Sequence, residues 1–460
     1  MSAIQTVVYD FGTLSFLMLV AFFIRKHVKL FQDLYLPASL IAGFLGLLLG
    51  LLLGPQILGK VSPICLPVTS TIGSWAGVLT AVVFSVSFLG AKQKDFGEAA
   101  LSTSVHAGIG HQLQVVVGLI CAYIFITFFG YDFPLGFGLT PVFGFYGGHG
   151  TALSAGTLFQ ENGWEAGLDV ANTMATAGLV CGVVFGVIMI NIAARKGKTL
   201  YVRQPSQIPR EVKIGYVEPE KRTSIGSGVT FNDVIDPFGF ALCWCGLICT
   251  LGYMVRNLLI AIHPILSNIP WFACCLILSM IVGTLCRKTG FDRYIDRPSM
   301  QRISGFTMDF LVTSALATLN LETVATYFVP LAVTILCTLL ANWIAYPYFG
   351  AKLFKRDAFE RTVGAFGQGC GVLATGLMLV RIVDPQGEST AADAIAASST
   401  IGYLWMIPYF TLGPVVSFTW SFGLQLGIAV ALLIVFLIIG RLIFWQKRPA
   451  WETQEKHYDN

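Results

Sequence analysis

The sequence predicts an all-α polytopic membrane protein with two inverted repeats of five transmembrane helices, a re-entrant hairpin in each repeat and one extra C-terminal helix. Three observations predict this fold. Hydrophobic residues make up 55% of the 460 residues and charged residues only 12%, whereas soluble domains carry about 25% charged residues. Apolar runs long enough to cross a bilayer recur along the chain. Two further apolar stretches are interrupted by glycines near their middle.

Apolar runs that are long enough, or nearly so, to span a bilayer define the transmembrane helices. We predict such helices at residues 7–24, 36–53, 75–91, 108–129, 166–194, 234–260, 268–286, 303–320, 326–349, 391–413 and 418–445. Basic residues follow the first run instead of preceding it, which is typical of a retained membrane helix and not of a cleaved signal peptide.

Residues 134–160 and 360–382 are apolar as well, but their glycines leave two arms that are each too short to cross alone. Interrupted segments of this kind indicate re-entrant hairpins. We place the N-terminus outside, the C-terminus in the cytoplasm, and let each hairpin return to the side from which it enters. All of the 29 Lys and Arg residues except Lys60 and Arg256 then face the cytoplasm, as the positive-inside rule requires.

The two interrupted stretches also share a pattern. The first contains Gly144, Gly147, Leu153 and Gly156, and the second repeats these residue types at the same spacing, at Gly364, Gly367, Leu373 and Gly376. The predicted hairpins enter from opposite sides, so the repeat is inverted. We therefore divide the chain into a first repeat (1–194), a cytoplasmic linker (195–233), a second repeat (234–415) and an extra helix with a cytoplasmic tail (416–460).

The basic linker does not predict a nucleic-acid partner. Only two aromatic residues, Tyr201 and Tyr216, lie among its eight Lys and Arg residues, and no folded basic surface accompanies the charge. The expected surroundings of the chain are the lipid bilayer, and the linker charges suit anionic headgroups.

The first hairpin carries candidate substrate ligands at its break. These are Gly147, Gly148, His149, Gly150, Thr151 and Ser154. Glycine lets a ligand approach the backbone closely, and a broken helix presents unpaired N–H groups at the positive end of its dipole. Such donors suit a carboxylate, while carbonyl and hydroxyl oxygens suit a sodium ion. Close helix packing through small residues is the alternative explanation of the glycines.

The second hairpin offers a corresponding set of candidates. These are Gly367, Gln368, Gly369, Gly371 and Thr375. No lysine follows the glycines as a phosphate-binding loop would require, so the pattern does not predict a nucleotide site. Arg381 lies just beyond, and two interpretations remain open. It is either a bidentate ligand of a substrate carboxylate or a charge at the cytoplasmic end of the hairpin.

Candidate cation ligands lie in three predicted spans. These are Asp309, Thr313 and Ser314 in span 303–320, and Thr176 and Thr400 in the spans after the hairpins. A carboxylate at membrane depth is costly and usually functional, so Asp309 is predicted to bind a cation or a proton, unless it lies at headgroup level. The sequence shows no Ser/His/Asp triad, no paired carboxylates and no zinc-binding spacing, so we predict neither an enzyme nor a resident cofactor.

One motif is similar to that of a known family. It consists of Gly147-Gly148-His149-Gly150-Thr151, then Leu158-Phe159 and Ala175-Thr176-Ala177-Gly178-Leu179-Val180, and more loosely of Gly369-Cys370-Gly371 and Ala374-Thr375. At these residues the chain resembles the bacterial sodium/glutamate symporters, and more distantly the sodium/citrate carriers, over about residues 10–415.

The resemblance implies sodium-driven uptake of glutamate in the bacterial inner membrane, by an elevator-like movement in a homodimer, with Na⁺ as coupling ion. Carried over by position, the site comprises Gly147, Gly148, His149, Gly150, Thr151, Thr176, Gly369, Gly371 and Thr375. The chain departs from the family pattern at Gln368, Gly376, Arg381 and Asp309, and in its extra C-terminal helix.

These departures bear on the substrate more than on transport. The alternative function is a sodium- or proton-coupled carrier of another carboxylate or organic anion, which an additional arginine in the site favours. An ion channel is the alternative from a different class, because re-entrant loops also form selectivity filters.

Overall fold

A computed structural model describes residues 3–33, 36–52, 70–90, 97–201, 216, 224, 226–262, 271–384 and 388–447. Within these residues the protein is helical and contains no β-strand. The helices are α1 (Ala3–His27), α2 (Lys29–Asp33), α3 (Ala38–Leu52), α4 (Ser70–Ser85), α5 (Glu98–Phe129), α6 (Gly148–Glu161), α7 (Gly167–Arg195), α8 (Pro237–Ile262), α9 (Trp271–Thr289), α10 (Arg297–Ala317), α11 (Leu321–Thr326), α12 (Phe328–Leu353), α13 (Ala358–Gly371), α14 (Leu373–Val383), α15 (Ala391–Val416) and α16 (Phe422–Ile439).

Each predicted span coincides with a helix, which confirms the all-α class. Seven of these helices are long and apolar enough to cross a membrane, namely α1, α5, α7, α8, α9, α12 and α16 with the turn that follows it. The protein is therefore a multi-pass membrane protein. Helices α3, α4, α10 and α15 are shorter or more polar, and their membrane crossing stays a prediction. Most of the predicted linker lies outside the described residues.

The two glycine-interrupted stretches are broken helices, as predicted. The first, hairpin one, runs through a 3₁₀ turn (Leu135–Leu139) and a π-helical turn (Val142–Tyr146) into α6. The second, hairpin two, consists of α13 and α14, with Val372 alone between them. Neither stretch contains an uninterrupted helix long enough to cross a bilayer. Their re-entrant course stays a prediction.

The chain forms two compact units, and each unit is discontinuous in sequence. Unit 1 comprises Met1–Lys29, Pro37–Gln93 and Gly215–Leu319, and so contains α1, α3, α4, α8, α9 and α10. In this unit α10 packs against both α3 and α4. The ring of Phe11 on α1 stacks on Phe310 of α10, with 5.1 Å between the centroids.

Unit 2 comprises Leu30–Leu36, Lys94–Ile214 and Asn320–Asn460. It contains α5, hairpin one and α7 from the first half of the chain, and α12, hairpin two and α15 from the second half, with α16 in addition. Its core is rich in fully buried aromatic side chains, among them Phe137, Phe143, Phe145, Phe159 and Phe366. Each half of the chain thus contributes three helices to unit 1, and two long helices and one broken helix to unit 2. The inverted repeat itself stays a prediction.

Candidate functional site

The two hairpins meet at their breaks inside unit 2. Gly148 begins α6 with a φ of +69°, a conformation that glycine adopts at little cost. A Cβ at this position would collide with Cγ1 of Val372. The contact therefore joins the break of hairpin one to the break of hairpin two, and only a residue without a side chain allows it.

Val372 has a left-handed backbone conformation, which is unusual for a β-branched residue. Its φ is +90°, and such a conformation costs about 1–3 kcal/mol unless the surroundings enforce it. The break in hairpin two is therefore a strained turn and not a relaxed loop.

Replacing Val372 by glycine should relieve this strain. We expect Val372→Gly to raise the thermal unfolding midpoint in detergent by about 1–3 °C. Val363→Gly is the matched control, because Val363 is fully buried within helix α13 and its replacement should lower the midpoint. Equal decreases in both variants would contradict the strained turn.

Three helix ends converge at these breaks. Helices α6 and α14 begin at Gly148 and Leu373, and α13 ends at Gly371. The N–H groups at a helix N-terminus and the positive end of its dipole favour an anion, whereas the carbonyl groups at a C-terminus favour a cation. The breaks therefore combine donors suited to a carboxylate with acceptors suited to a sodium ion.

The predicted residues of hairpin one lie together around its break. His149, which is almost fully buried, has its Nε2 3.0 Å from the hydroxyl oxygen of Thr176 on α7. The structure thus brings together two residues that the sequence places 27 positions apart. The hydroxyl of Thr151 donates to the carbonyl of Phe143 at 2.7 Å, and that of Ser154 to Gly150 at 2.9 Å. The Thr151 bond therefore joins α6 to the π-helical turn before the break, whereas the Ser154 bond only satisfies that hydroxyl within its own helix.

The predicted residues of hairpin two divide between its break and its arms. The hydroxyl of Thr375 donates to the carbonyl of Gly371 at 3.2 Å across the break. Gln368 donates from Nε2 to the hydroxyl of Ser399 on α15 at 2.8 Å. A Cβ at Gly367 would lie 2.9 Å from Cα of Gly376, so Gly367 allows the two arms to pack closely. Close packing of the two arms, and not ligand binding, therefore accounts for the glycine at position 367.

The structure places Arg381 far from the break. It lies in the last turn of α14 with an exposed side chain, about 12 Å along the helix axis from Leu373. This position favours a charge at the end of the hairpin over a ligand of the substrate carboxylate.

The predicted cation ligands do not all belong to the same unit. Asp309, Thr313 and Ser314 lie on α10 in unit 1, whereas both hairpin breaks belong to unit 2. The hydroxyl of Thr313 donates to the carbonyl of Ser39 at 3.1 Å. The side chain of Thr400 lies outside the described residues. The role of these four residues stays a prediction.

Sequence reasoning missed the surface that holds hairpin two against α7. Gly178, Gly182 and Gly186 recur every fourth residue on one face of α7. A Cβ on Gly178 would lie 2.5 Å from the carbonyl oxygen of Cys370, and a Cβ on Gly182 would lie 3.2 Å from Cβ of Cys370. A Cβ on Gly186 would collide with the side chain of Leu379. Glycines four residues apart are typical of close helix contacts in membranes, so this spacing was the sequence pattern that could have predicted the packing.

A second missed element is a buried arginine at the base of hairpin two. Arg361 is 2% exposed and donates from Nη2 to the hydroxyls of Ser102 and Thr103 on α5 at 2.6 and 2.7 Å. Its guanidinium lies 3.9 Å from the centroid of the Phe354 ring. An arginine in this setting anchors the first arm of hairpin two to α5.

Comparison with known protein families matches residues 1–383 to the sodium/glutamate symporter family. The match covers most of the chain, including hairpin one, α7 and hairpin two. No curated protein matches the sequence. Members of the family are transporters and not enzymes, which agrees with a site formed by helix ends and hydroxyls in a multi-pass membrane protein. The chain therefore belongs to the sodium/glutamate symporter family.

Proposed function

We propose that the protein is a secondary active transporter that couples the entry of Na⁺ to the uptake of L-glutamate. The observation that carries this proposal is the meeting of two broken helices at Gly148 and Val372 within one compact unit. Family membership supports glutamate as the substrate and sodium as the coupling ion.

The chemistry of the breaks explains how sodium and substrate would be coupled. N–H groups at the start of α6 and α14 bind a substrate carboxylate, and carbonyl groups at the end of α13 bind Na⁺. In a site of low dielectric constant each charge strengthens the binding of the other. The His149–Thr176 pair adds a polar contact from α7. Both ligands therefore bind together, as symport requires.

The division into units supports an elevator-like mechanism of alternating access. Unit 2 contains both hairpins, so in this proposal it carries the helix ends that bind substrate and Na⁺, and moves as a body between the two membrane faces. Both hairpins are re-entrant in this proposal, since irregular backbone at membrane depth must be covered by protein or line a cavity. We further propose a homodimer in the bacterial inner membrane, with the N-terminus outside and the C-terminus in the cytoplasm.

The test is uptake of radiolabelled L-glutamate into proteoliposomes. We expect glutamate to accumulate above its external concentration with an inward sodium gradient, and not with an equal potassium gradient. Protein-free liposomes are the control. Equal uptake with both cations would contradict sodium coupling, and single-channel currents would favour the channel. Absence of glutamate uptake, together with sodium-dependent thermal stabilisation by another carboxylate, would assign a different substrate.

A further inference from the structure

Two buried amide side chains outside the predicted site reach the break of hairpin two. Gln114 lies on α5 and Asn342 on α12, and both are 0% exposed. Nε2 of Gln114 donates to the carbonyl oxygen of Gly369 at 2.6 Å and lies 3.4 Å from Oδ1 of Asn342. Nδ2 of Asn342 lies 3.4 Å from Sγ of Cys370. One helix from each half of the chain thus contributes an amide that contacts the last turn of α13.

The bond to Gly369 supplies a partner for one of the carbonyl groups that are left unpaired at a helix C-terminus. The last four carbonyl groups of a helix have no partner within it, and in a buried site an unpaired carbonyl is costly. In α13 the carbonyl of Gln368 accepts from the N–H of Val372 at 3.2 Å, and that of Gly371 accepts from Thr375. The carbonyl of Gly369 accepts from Gln114 on α5, a donor that lies outside hairpin two.

We propose that Gln114 and Asn342 form an amide clamp that positions the carbonyl groups at the end of α13 for the binding of Na⁺. The clamp holds the Gly369 carbonyl toward α5, and so fixes the direction of the carbonyls that follow it at the break. Asn342 keeps the Gln114 amide in place by accepting its second N–H. Gln114 and Asn342 are positioning residues in this proposal, which rests on the proposed sodium symport.

The chain offers a matched control for the clamp. Gln112 lies two residues before Gln114 on α5 and is also 0% exposed. Its Oε1 accepts from the hydroxyl of Tyr409 on α15 at 2.9 Å. Gln112→Met and Gln114→Met each replace a buried amide on the same helix by a side chain of similar length without a donor. Only Gln114→Met removes the bond to hairpin two.

The first measurement is the sodium dependence of glutamate uptake in both variants. We expect Gln114→Met to raise the half-saturating sodium concentration about 5- to 30-fold, since a buried carbonyl loses its donor. The rate at saturating sodium should stay within about twofold of the wild type. Gln112→Met should leave the half-saturating concentration unchanged. Equal shifts in the two variants, or no shift in Gln114→Met, would overturn the proposal.

A double variant tests whether the two amides act as one clamp. Asn342→Leu alone should produce a smaller shift than Gln114→Met, because the bond to Gly369 survives. Adding Asn342→Leu to Gln114→Met should increase the shift little further, as expected for residues that share one interaction. Fully additive shifts would show that Asn342 acts independently, and would overturn the joint role.

Hydrogen–deuterium exchange separates failure of the clamp from failure of the proposed function. We expect backbone amides of residues 364–376 to exchange faster in Gln114→Met than in Gln112→Met and the wild type, whatever the substrate is. Faster exchange without glutamate uptake by the wild type would leave the clamp standing and refute glutamate as substrate. Equal exchange in the two variants, with normal uptake by the wild type, would refute the clamp alone.

Discussion

Gly369→Ala is expected to lower the initial rate of sodium-driven glutamate uptake about tenfold or more. A Cβ at this position would collide with the hydroxyl of Tyr346 and lie 3.1 Å from its Cε2. Tyr346 is 1% exposed and has little room to move, because its ring contacts His106 and Phe366 with centroids 5.0 and 6.0 Å away. The added methyl group therefore displaces the last turn of α13. Uptake into proteoliposomes at equal protein content measures the effect.

Two further variants identify the cause of that loss. Gly427→Ala is the matched control, because Gly427 lies within helix α16 and a Cβ there meets no atom within 4 Å. This variant should transport at the wild-type rate. The double variant Gly369→Ala/Tyr346→Phe removes the hydroxyl that the methyl group meets, and should recover part of the lost rate. Wild-type uptake by Gly369→Ala would refute the tight packing at this break.

The sequence was sufficient to predict the long helices and the positions of the two breaks, but not the short helices α2 and α11. Within a bilayer a helix is the only structure that satisfies its backbone without a partner strand, so apolar length alone predicts an element. The positions of the breaks were equally predictable from the sequence. Gly147-Gly148 and Gly369-Cys370-Gly371 interrupt apolar runs that would otherwise form continuous helices, and the structure breaks both runs at or next to these residues.

Contacts between segments that are distant in sequence could not be predicted from hydropathy. Gln114 and Gly369 are 255 residues apart, and nothing in the periodicity of either segment indicates the other. A lone buried amide in an apolar helix predicts a polar partner, but does not say which one. The same limit applies to the compact units, since each unit combines segments from both halves of the chain.

Charged residues were the least predictable part of the candidate site. The depth of a charge in the membrane was inferred from its place in an apolar run, and such runs have uncertain ends. Arg381 follows the glycines of hairpin two closely in sequence, yet the length of α14 carries it away from the break. Arg361 was counted only as a cytoplasmic charge, but it is buried against α5.

The second large effect is expected for Gly148→Ala, which should also lower sodium-driven uptake about tenfold or more. Two costs add at this position. Alanine at a φ of +69° costs about 1–2 kcal/mol, and its Cβ collides with Cγ1 of Val372 in hairpin two. The variant therefore forces the two hairpin breaks apart, and uptake kinetics in proteoliposomes measure the consequence.

Gly130→Ala separates these two costs, because Gly130 caps the C-terminus of α5 with a φ of +68° and a Cβ there meets no atom within 4 Å. This variant has the same conformational cost without the collision. It should lower the unfolding midpoint but keep uptake within about twofold of the wild type. Gly148→Ala/Val372→Ala should recover only the part of the rate lost to the collision. Equal losses of uptake in Gly130→Ala and Gly148→Ala would mean that general destabilisation, and not separation of the two breaks, stops transport.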